Sequence, residues 1–555
     1  MNNDQISKNG QGRMKSARIP LIVLTVTIVF IFVALVALRP KQTIAAVGNI
    51  EGGLLSGIGP LLEIFMTIML ICSLYLAFGK YKHVKLGAGK PEYSTFSYIA
   101  MMFMASMASA AIYWSFTEWV YYYTAPGLGM TPKSTQALES ALGYQFFHWG
   151  IDYNSLYFMT AIGIAYAYYV RKNITVLQTS AACESMLGNF KYKSVVGKIV
   201  DFIVVFGIIG GLGVSLGLAI PLLCGGLTQL FGIKDTFAAE VGVILFVTAV
   251  FTITSFLGTK KGMARLSNWT AYICIAFLIF VLFVGPTSFI LKNTTNSLGW
   301  TLELFPRMSL FTDPINNSGF PESWTIFFMA FFTNYCGMMG IFMAKISKGR
   351  TIGQFAVCSL GGMTGGTIFL FGTLGSFSIN SFLTGKANVL NLVTSGEGQS
   401  GIYKILQLLP GGKFIVPLVL VIIIVGFVAS SLDTASLGLA QTTTRTVDAE
   451  GNASKWLRVF WCFILALVPL VMMYVHAGFD PIKQISILAS VPFMFVMALL
   501  VIGLFKWLKQ DELNGVLDEN KKMRDRELKQ WAQEKLEAKI KKQEEKQKAK
   551  ETANV

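Results

Sequence analysis

Apolar runs long enough to cross a bilayer recur along this chain from residue 19 to residue 507. Few folds accommodate that. A run of ~20 apolar residues spans the hydrocarbon core as a helix, because in lipid each backbone N–H and C=O must be satisfied within the segment. On that criterion there are about twelve spans, near residues 19–38, 58–79, 97–123, 141–170, 196–229, 238–257, 269–291, 324–346, 352–381, 415–441, 456–476 and 483–507. Several exceed the minimum, so tilted or broken helices are expected. The chain reads as an all-α polytopic membrane protein with no soluble domain between its spans. Its charged fraction of 14% fits, since soluble proteins carry about 25%.

The first run follows Arg13, Lys15 and Arg18. It is too long for a signal peptide, lacks a small-residue cleavage site and ends at Arg39-Pro40, so it reads as a retained helix. A net charge of +16 would suggest nucleic acid in a soluble protein. Here the positives gather in alternate short loops: Lys80 to Lys90, Arg171 to Lys198, Lys260 to Arg265, Lys345 to Arg350, and Arg445 to Arg458. That bias puts both termini in the cytoplasm of a cell (inner) membrane, with no nucleic-acid partner. It leaves a cytoplasmic segment 1–18, a membrane domain 19–507 and a charged tail 508–555. The tail mixes both signs at helical spacing, which suits a solvated helix. It is either a plain exposed tail or a membrane-surface, osmosensing element. Segment 292–311 is too polar to span; it is a loop or a helix lying in the outer interface through Trp300, Leu302, Leu304 and Phe305.

Several spans carry candidate chemistry. Residues 324–355, WTIFFMAFFTNYCGMMGIFMAKISKGRTIGQF, open with aromatics at helical spacing and close on a basic run. The aromatic half is expected to face a pocket. The third span has small residues from Met104 to Ala111, suited to close packing or to unwinding around a ligand. Glu118 follows, and a carboxylate in an apolar span is either functional or a structural lock. In the fourth span Trp149 and Tyr157 lie two turns apart on one face, with Asp152 and Asn154 between them. Lining aromatics suit a cationic substrate. Glycine runs at 207–217 and 361–372 read as close packing or flexible joints. Ser430-Ser431, with Asp433 nearby, can help supply hard oxygen ligands to a small cation, or the serines bond their own helix backbone. The seven cysteines show neither metal spacing nor a disulfide framework.

Five stretches together resemble the betaine/carnitine/choline transporter family, closest to its carnitine/γ-butyrobetaine antiporter branch. They are FFHWG (146–150), GPTSFI (285–290), FPRMSLFTDP (305–314), GFPESWTIF (319–327) and AKISKGRTI (344–352). The resemblance runs from about residue 19 to 507 and excludes the tail. It implies two leading helices, then an inverted repeat of five plus five, alternating access with substrate near the midplane, and a homotrimer in the lipid bilayer. It also implies a box of tryptophans around a quaternary ammonium. This chain keeps Trp149 and Tyr157, has Asn154 in place of a Trp, and has Met329-Ala330-Phe331-Phe332 in place of Trp-x-Trp-Trp. Tyr335 and Met339 match the antiporter's pocket helix, and Tyr121 matches a substrate-side Tyr. The box is thinner than the family's, and Asn154, Asp152 and Asn334 add polar groups. That suggests a less methylated zwitterion such as glycine or sarcosine, beside betaine or carnitine themselves.

The sodium-independent antiporter has an Arg in the seventh span where this chain has Thr270. The sodium-coupled carriers use a hydroxyl pair where Ser430-Ser431 stands, with backbone carbonyls near Met104 and Met107. The resemblance therefore implies sodium as coupling ion and no other cofactor. At the family's second sodium site Val214 replaces a Thr, beside Ser215. Other classes fit poorly. A channel would show filter or charged-ring motifs. An enzyme would need a nucleophile–base pair or metal spacing, yet only His83, His148 and His476 are available. A primary pump would need a P-loop.

Overall fold

The computed structural model describes residues 16–107, 110–474 and 480–553. The segment before Ser16, Ala108-Ser109 of the small-residue run, His476 and the side chain of Val214 lie outside the described residues. The described residues form helices and no strand; two isolated backbone bridges join loops.

Two leading helices, α1 (Ile19–Leu38) and α2 (Pro40–Phe78), precede a bent pair, α3 (Thr95–Met107) and α4 (Ala110–Thr124), which meet at 60°. A broken span follows, α5 (Thr135–His148) and α6 (Ile151–Ala165), then the short α7 (Thr179–Met186), α8 (Lys193–Phe231), α9 (Phe237–Gly258) and α10 (Ala264–Val284). Helix α11 (Thr287–Ser309) separates this set from α12 (Ile326–Ile346), which is entered through a π-helical turn, Pro321–Thr325. Next come α13 (Ile352–Ala356), α14 (Thr364–Leu383), the short α15 (Val389–Thr394) and α16 (Gly398–Leu406), α17 (Ile415–Thr442), α18 (Lys455–Tyr474), α19 (Asp480–Leu513) and α20 (Val516–Ala553). Among the described residues nine helices are long and apolar enough to cross a membrane, or ten with the bent pair as one span. The two other expected spans, 141–170 and 456–476, are helical as α5 with α6 and as α18. Each half of the former is too short to cross alone.

Every residue of α12 except Lys345 is buried, whereas α1 and α9 turn most of their surface outward. An all-round apolar helix belongs in the centre of a bundle. Glycines let neighbours approach it. A Cβ on Gly340 would meet Thr160 of α6 at 2.6 Å, and one on Gly337 would meet Val204 of α8 at 3.0 Å. Gly362 and Gly366 likewise receive Ile99 and Phe103 of α3. These glycines pack.

Helix α11 settles the reading of 292–311: it is helical, and it lies against α5 and α14. Thr301 donates to the Gly143 carbonyl (3.1 Å) and Asn293 to Ser376 (3.0 Å). Trp300 turns inward onto Tyr144, with centroids 5.2 Å apart, and Phe305 onto Phe147 at 5.5 Å. Leu302 points outward, 76% exposed.

Loop contacts gather the basic loops on one face. Ala17 pairs with Thr444, Lys345 donates to the Gly451 carbonyl (3.0 Å), and Lys85 pairs with Thr351. The charged tail is not a free run over its first half. Gly515, at φ 71, turns the chain so that α20 meets the 80–90 loop. Asn520, Glu527 and Glu534, seven apart, share one face. Asn520 exchanges two hydrogen bonds with the Lys85 backbone (2.9 and 3.2 Å), Glu527 pairs with the Lys85 ammonium, and Glu534 pairs with Lys90 at 2.6 Å. Upstream, Glu512 pairs with Lys80 (2.6 Å), and Asp511 pairs with Arg171 (2.7 Å). Hydrogen bonds from Lys80 and then Tyr81 hold the Glu512 carboxyl below its ordinary value. This contact is therefore lost as pH falls through that lowered value.

Exposed ion pairs contribute about 0–1 kcal/mol each, so the seat of α20 rests on several and on the buried Lys85. Glu527→Lys is expected to speed tryptic cleavage within 521–550 several-fold at low salt. About 1 M salt, where the Debye length falls to ~3 Å, should erase the difference from the parent. Equal cleavage at low salt would refute the seat.

Candidate substrate and ion sites

The fourth span breaks where its motif FFHWG ends. Trp149 leaves the helix at φ −104°, ψ 16°, and Gly150 sits at φ −101°, ψ −135°. A Cβ on Gly150 would collide with the Phe146 carbonyl oxygen, so this break demands glycine. It projects the Trp149 indole sideways into the bundle.

There Trp149 meets rings from two other helices. It lies edge-on to Phe328 and Phe332 of α12, at 5.5 and 5.4 Å, and 5.3 Å from Phe371 of α14. Tyr153 stacks on Phe332 at 4.4 Å, and Tyr157 stands edge-on to Phe332 at 6.5 Å. All are buried. The i, i+4 spacing of Trp324, Phe328 and Phe332 builds a column along one face of α12, with steps of 6.2 and 5.7 Å. Beside it lies a small cavity with room for about one water, lined by His148, Asp152, Tyr153, Thr325, Phe328 and Phe332. The rings touch one another in this conformation.

The expected substrate residues thus divide. Trp149, Tyr157 and Phe332 come together. Phe331 and Tyr335 form a second column on another face of α12, 5.2 Å apart. There the Tyr335 hydroxyl bonds Ser215 and donates to the Gly211 carbonyl (2.9 Å) on α8. Met339 is buried further along the same helix. Tyr121 stands in an outer aromatic group, 5.3 Å from Trp324 and 5.9 Å from Trp114. The Asn154 amide donates to the Gly150 carbonyl and to the Thr364 hydroxyl, both at 3.0 Å, so it turns toward α14. Asn334 donates to the Ala330 carbonyl of its own helix (3.4 Å).

Sequence reasoning missed Tyr153, Phe328 and Phe371. Helical spacing from Tyr157 and Phe332 would have found the first two; no local signal marks Phe371. It also missed how Glu118 is held. Trp149 Nε1 donates to Glu118 Oε2 (2.7 Å), and the Tyr122 hydroxyl donates to Oε1. Tyr122 also meets His148 Nδ1 at 2.7 Å, and His148 Nε2 meets the Thr325 hydroxyl at 3.0 Å.

At the ion region the Ser431 hydroxyl lies 3.4 and 3.3 Å from the carbonyl oxygens of Met104 and Ala105. The Ser430 hydroxyl turns instead to Ser267 of α10 (2.8 Å), and the Met107 sulfur accepts from Tyr153 (3.7 Å). The Ser431 hydroxyl and the Met104 carbonyl therefore converge on one point, and the Ser430 hydroxyl points elsewhere. Thr270 packs tightly onto Gly426, one turn before Ser430. Asp433 does not face the serines' partners. It pairs with Arg458 of α18 (2.6 Å) and accepts from Ser255 of α9, with both charges buried. Arg458, expected in a loop, is a core residue. Among the described residues no group of three or more His, Cys, Asp or Glu could hold a metal ion.

An all-helical membrane bundle built around a buried ring cluster and a broken span is the architecture of a secondary transporter, and comparison with known proteins agrees. The model of the betaine/carnitine/choline family transporters matches residues 20–513, and the chain belongs to that family. It is 36% identical to a carnitine transporter of Acinetobacter baumannii, over 88% of this chain and 89% of that protein. It is 35% identical to the uncharacterised transporter YeaV of Escherichia coli, over 79% and 90%. A solved sodium-coupled sialic acid symporter, substrate-bound and outward-open, aligns with a TM-score of 0.48 at 11% identity, over 79% and 85%. The protein is a multi-pass membrane transporter and not an enzyme.

Removing one partner of a buried ion pair costs about 3–5 kcal/mol, because the other charge is left uncompensated. Arg458→Met is expected to lower the melting temperature of the purified protein sharply. Adding Asp433→Leu should recover most of the loss. An Arg458→Met protein that melts like the parent would show that the pair holds nothing together.

Proposed function

We propose that this chain carries a small zwitterion bearing a quaternary or heavily methylated ammonium, by sodium-coupled symport across the cell membrane. The observation that carries the reading is the buried cluster of Trp149, Tyr153, Phe328 and Phe332, edge-on and stacked around the break at Gly150. Ring faces attract a cation that has no N–H to donate. The amides of Asn154 and Asn334 are engaged with Thr364 and with backbone carbonyls, which favours betaine or carnitine over glycine. Because the rings touch, substrate enters only when α12 and α6 separate, as alternating access requires. A carnitine transporter among the relatives supports the class.

One observation favours a less methylated substrate: the Asn154 carbonyl oxygen is buried without a hydrogen-bond partner and could accept from an N–H. For coupling, Ser431 with the Met104 and Ala105 carbonyls offers hard oxygens for sodium. Thr270 brings no fixed charge to replace the ion, which counts against sodium-independent exchange. The basic face would be cytoplasmic with both termini, and the outward Leu302 of α11 suits a contact between copies in a homotrimer.

Uptake by reconstituted protein tests this. L-carnitine and glycine betaine should be transported with a sodium gradient and lose at least tenfold in rate when potassium replaces sodium. Sarcosine and glycine should compete weakly. Phe332→Ala should raise the half-saturation concentration about tenfold, the equivalent of ~1.4 kcal/mol of cation–π attraction. Ser431→Ala should abolish the sodium requirement or the uptake. Strong preference for glycine, or sodium-blind uptake, would overturn the respective half of the proposal.

A further inference from the structure

We propose that Glu118 is the positioning residue of the aromatic box: its carboxylate fixes the Trp149 indole, and through Tyr122 and His148 it sets the register of that ring against α12. The proposal rests on the substrate reading above and deepens it.

A carboxyl group with no exposed surface inside an apolar span is costly unless it is well bonded. Glu118 accepts one hydrogen bond on each oxygen, from Trp149 Nε1 at 2.7 Å and from the Tyr122 hydroxyl. An indole has a single donor. Engaging it fixes the rotation of a ring that otherwise only leans on other rings. The Trp149 plane then stands 77° to Phe332 and 65° to Phe328. Cation–π attraction acts at the ring face, so this orientation decides what the box can hold.

The other oxygen reaches further. Tyr122 has one proton and gives it to Glu118, so its oxygen accepts from His148 Nδ1–H at 2.7 Å. His148 Nε2 is left to accept from the Thr325 hydroxyl at 3.0 Å, in the turn that enters α12. The His148 ring also stacks on Phe328 at 5.0 Å. One carboxyl group thereby ties α4, the break after α5 and the entry to α12. Trp149 and Tyr122 each hold one oxygen, so Glu118 acts on the box through Trp149.

The test is a double-mutant cycle in the reconstituted full chain with radiolabelled L-carnitine and glycine betaine. Glu118→Ala is expected to raise half-saturation at least tenfold with maximal rate held within about twofold. Glu118→Gln, whose amide oxygen can still accept from the indole, should recover to within about threefold. Trp149→Phe keeps a ring and removes the donor; in that background Glu118→Ala should add less than twofold. An unchanged half-saturation in Glu118→Ala, or an equal effect with and without the Trp149 indole, would overturn the proposal and make Glu118 a spectator or a direct ion partner.

A substrate-free readout separates this idea from the substrate reading. The resonance Raman marker of indole N–H bonding, taken as the difference between parent and Trp149→Phe, should report a strong bond. It should persist in Glu118→Gln and vanish in Glu118→Ala. A parent marker that reports no indole hydrogen bond sinks the proposal even if Glu118→Ala fails to fold. If the marker moves as expected and neither compound is transported, the substrate reading has failed and the positioning role stands.

Discussion

The architecture depends on one helix having no lipid to face. From Thr325 to Ala344 this helix, α12, is buried on every side, so each of its sides must be matched by another helix. Rings and glycines divide that work. Phe328 and Phe332 fill the side toward the broken span, Phe331 and Tyr335 fill the side toward α8, and Gly337 and Gly340 let α8 and α6 come close. Apolar contact alone gives little drive for helix association in lipid. Close packing and buried hydrogen bonds must supply it, and the polar groups of this core are arranged to do so.

Polar burial is accordingly specific. Glu118, Asp433 and Arg458 sit where an unpaired charge would be intolerable, and each has a partner on a different helix. Glu118 binds across to the break in the fourth span. Asp433 and Arg458 bind α17 to α18, with Ser255 drawing in α9. Such links cost desolvation and give back fixed geometry. In a transporter, fixed geometry within each moving body is what lets the bodies rock as units. The tail follows the same logic in water with weaker, screened pairs, reaching the loop that is bonded to the end of α12 through Lys85 and Thr351.

Much of this was legible from sequence where the signal is local. Run length gave the spans, alternating loop charge matched the gathering of basic loops on one face, and the i, i+4 aromatics of α12 became a real column. The glycine of FFHWG is explained by a collision a side chain would suffer with its own preceding turn, a local requirement readable as a motif. Less legible was direction. Ser430 and Ser431 are neighbours, yet a helix turns about 100° per residue, so one meets Ser267 and the other Met104 and Ala105. Asn154 lies between Trp149 and Tyr157 in the chain, but its amide turns toward α14.

The sequence by itself determined the all-helical, apolar character of the spans, the family, and the residue types around the site, because backbone satisfaction in lipid and helical periodicity act within single segments. Only tertiary structure decided which rings meet, that Arg458 is a core residue, and that Trp149 is held by Glu118. Those outcomes depend on how helices far apart in the chain are rotated against each other, and no local pattern encodes that rotation.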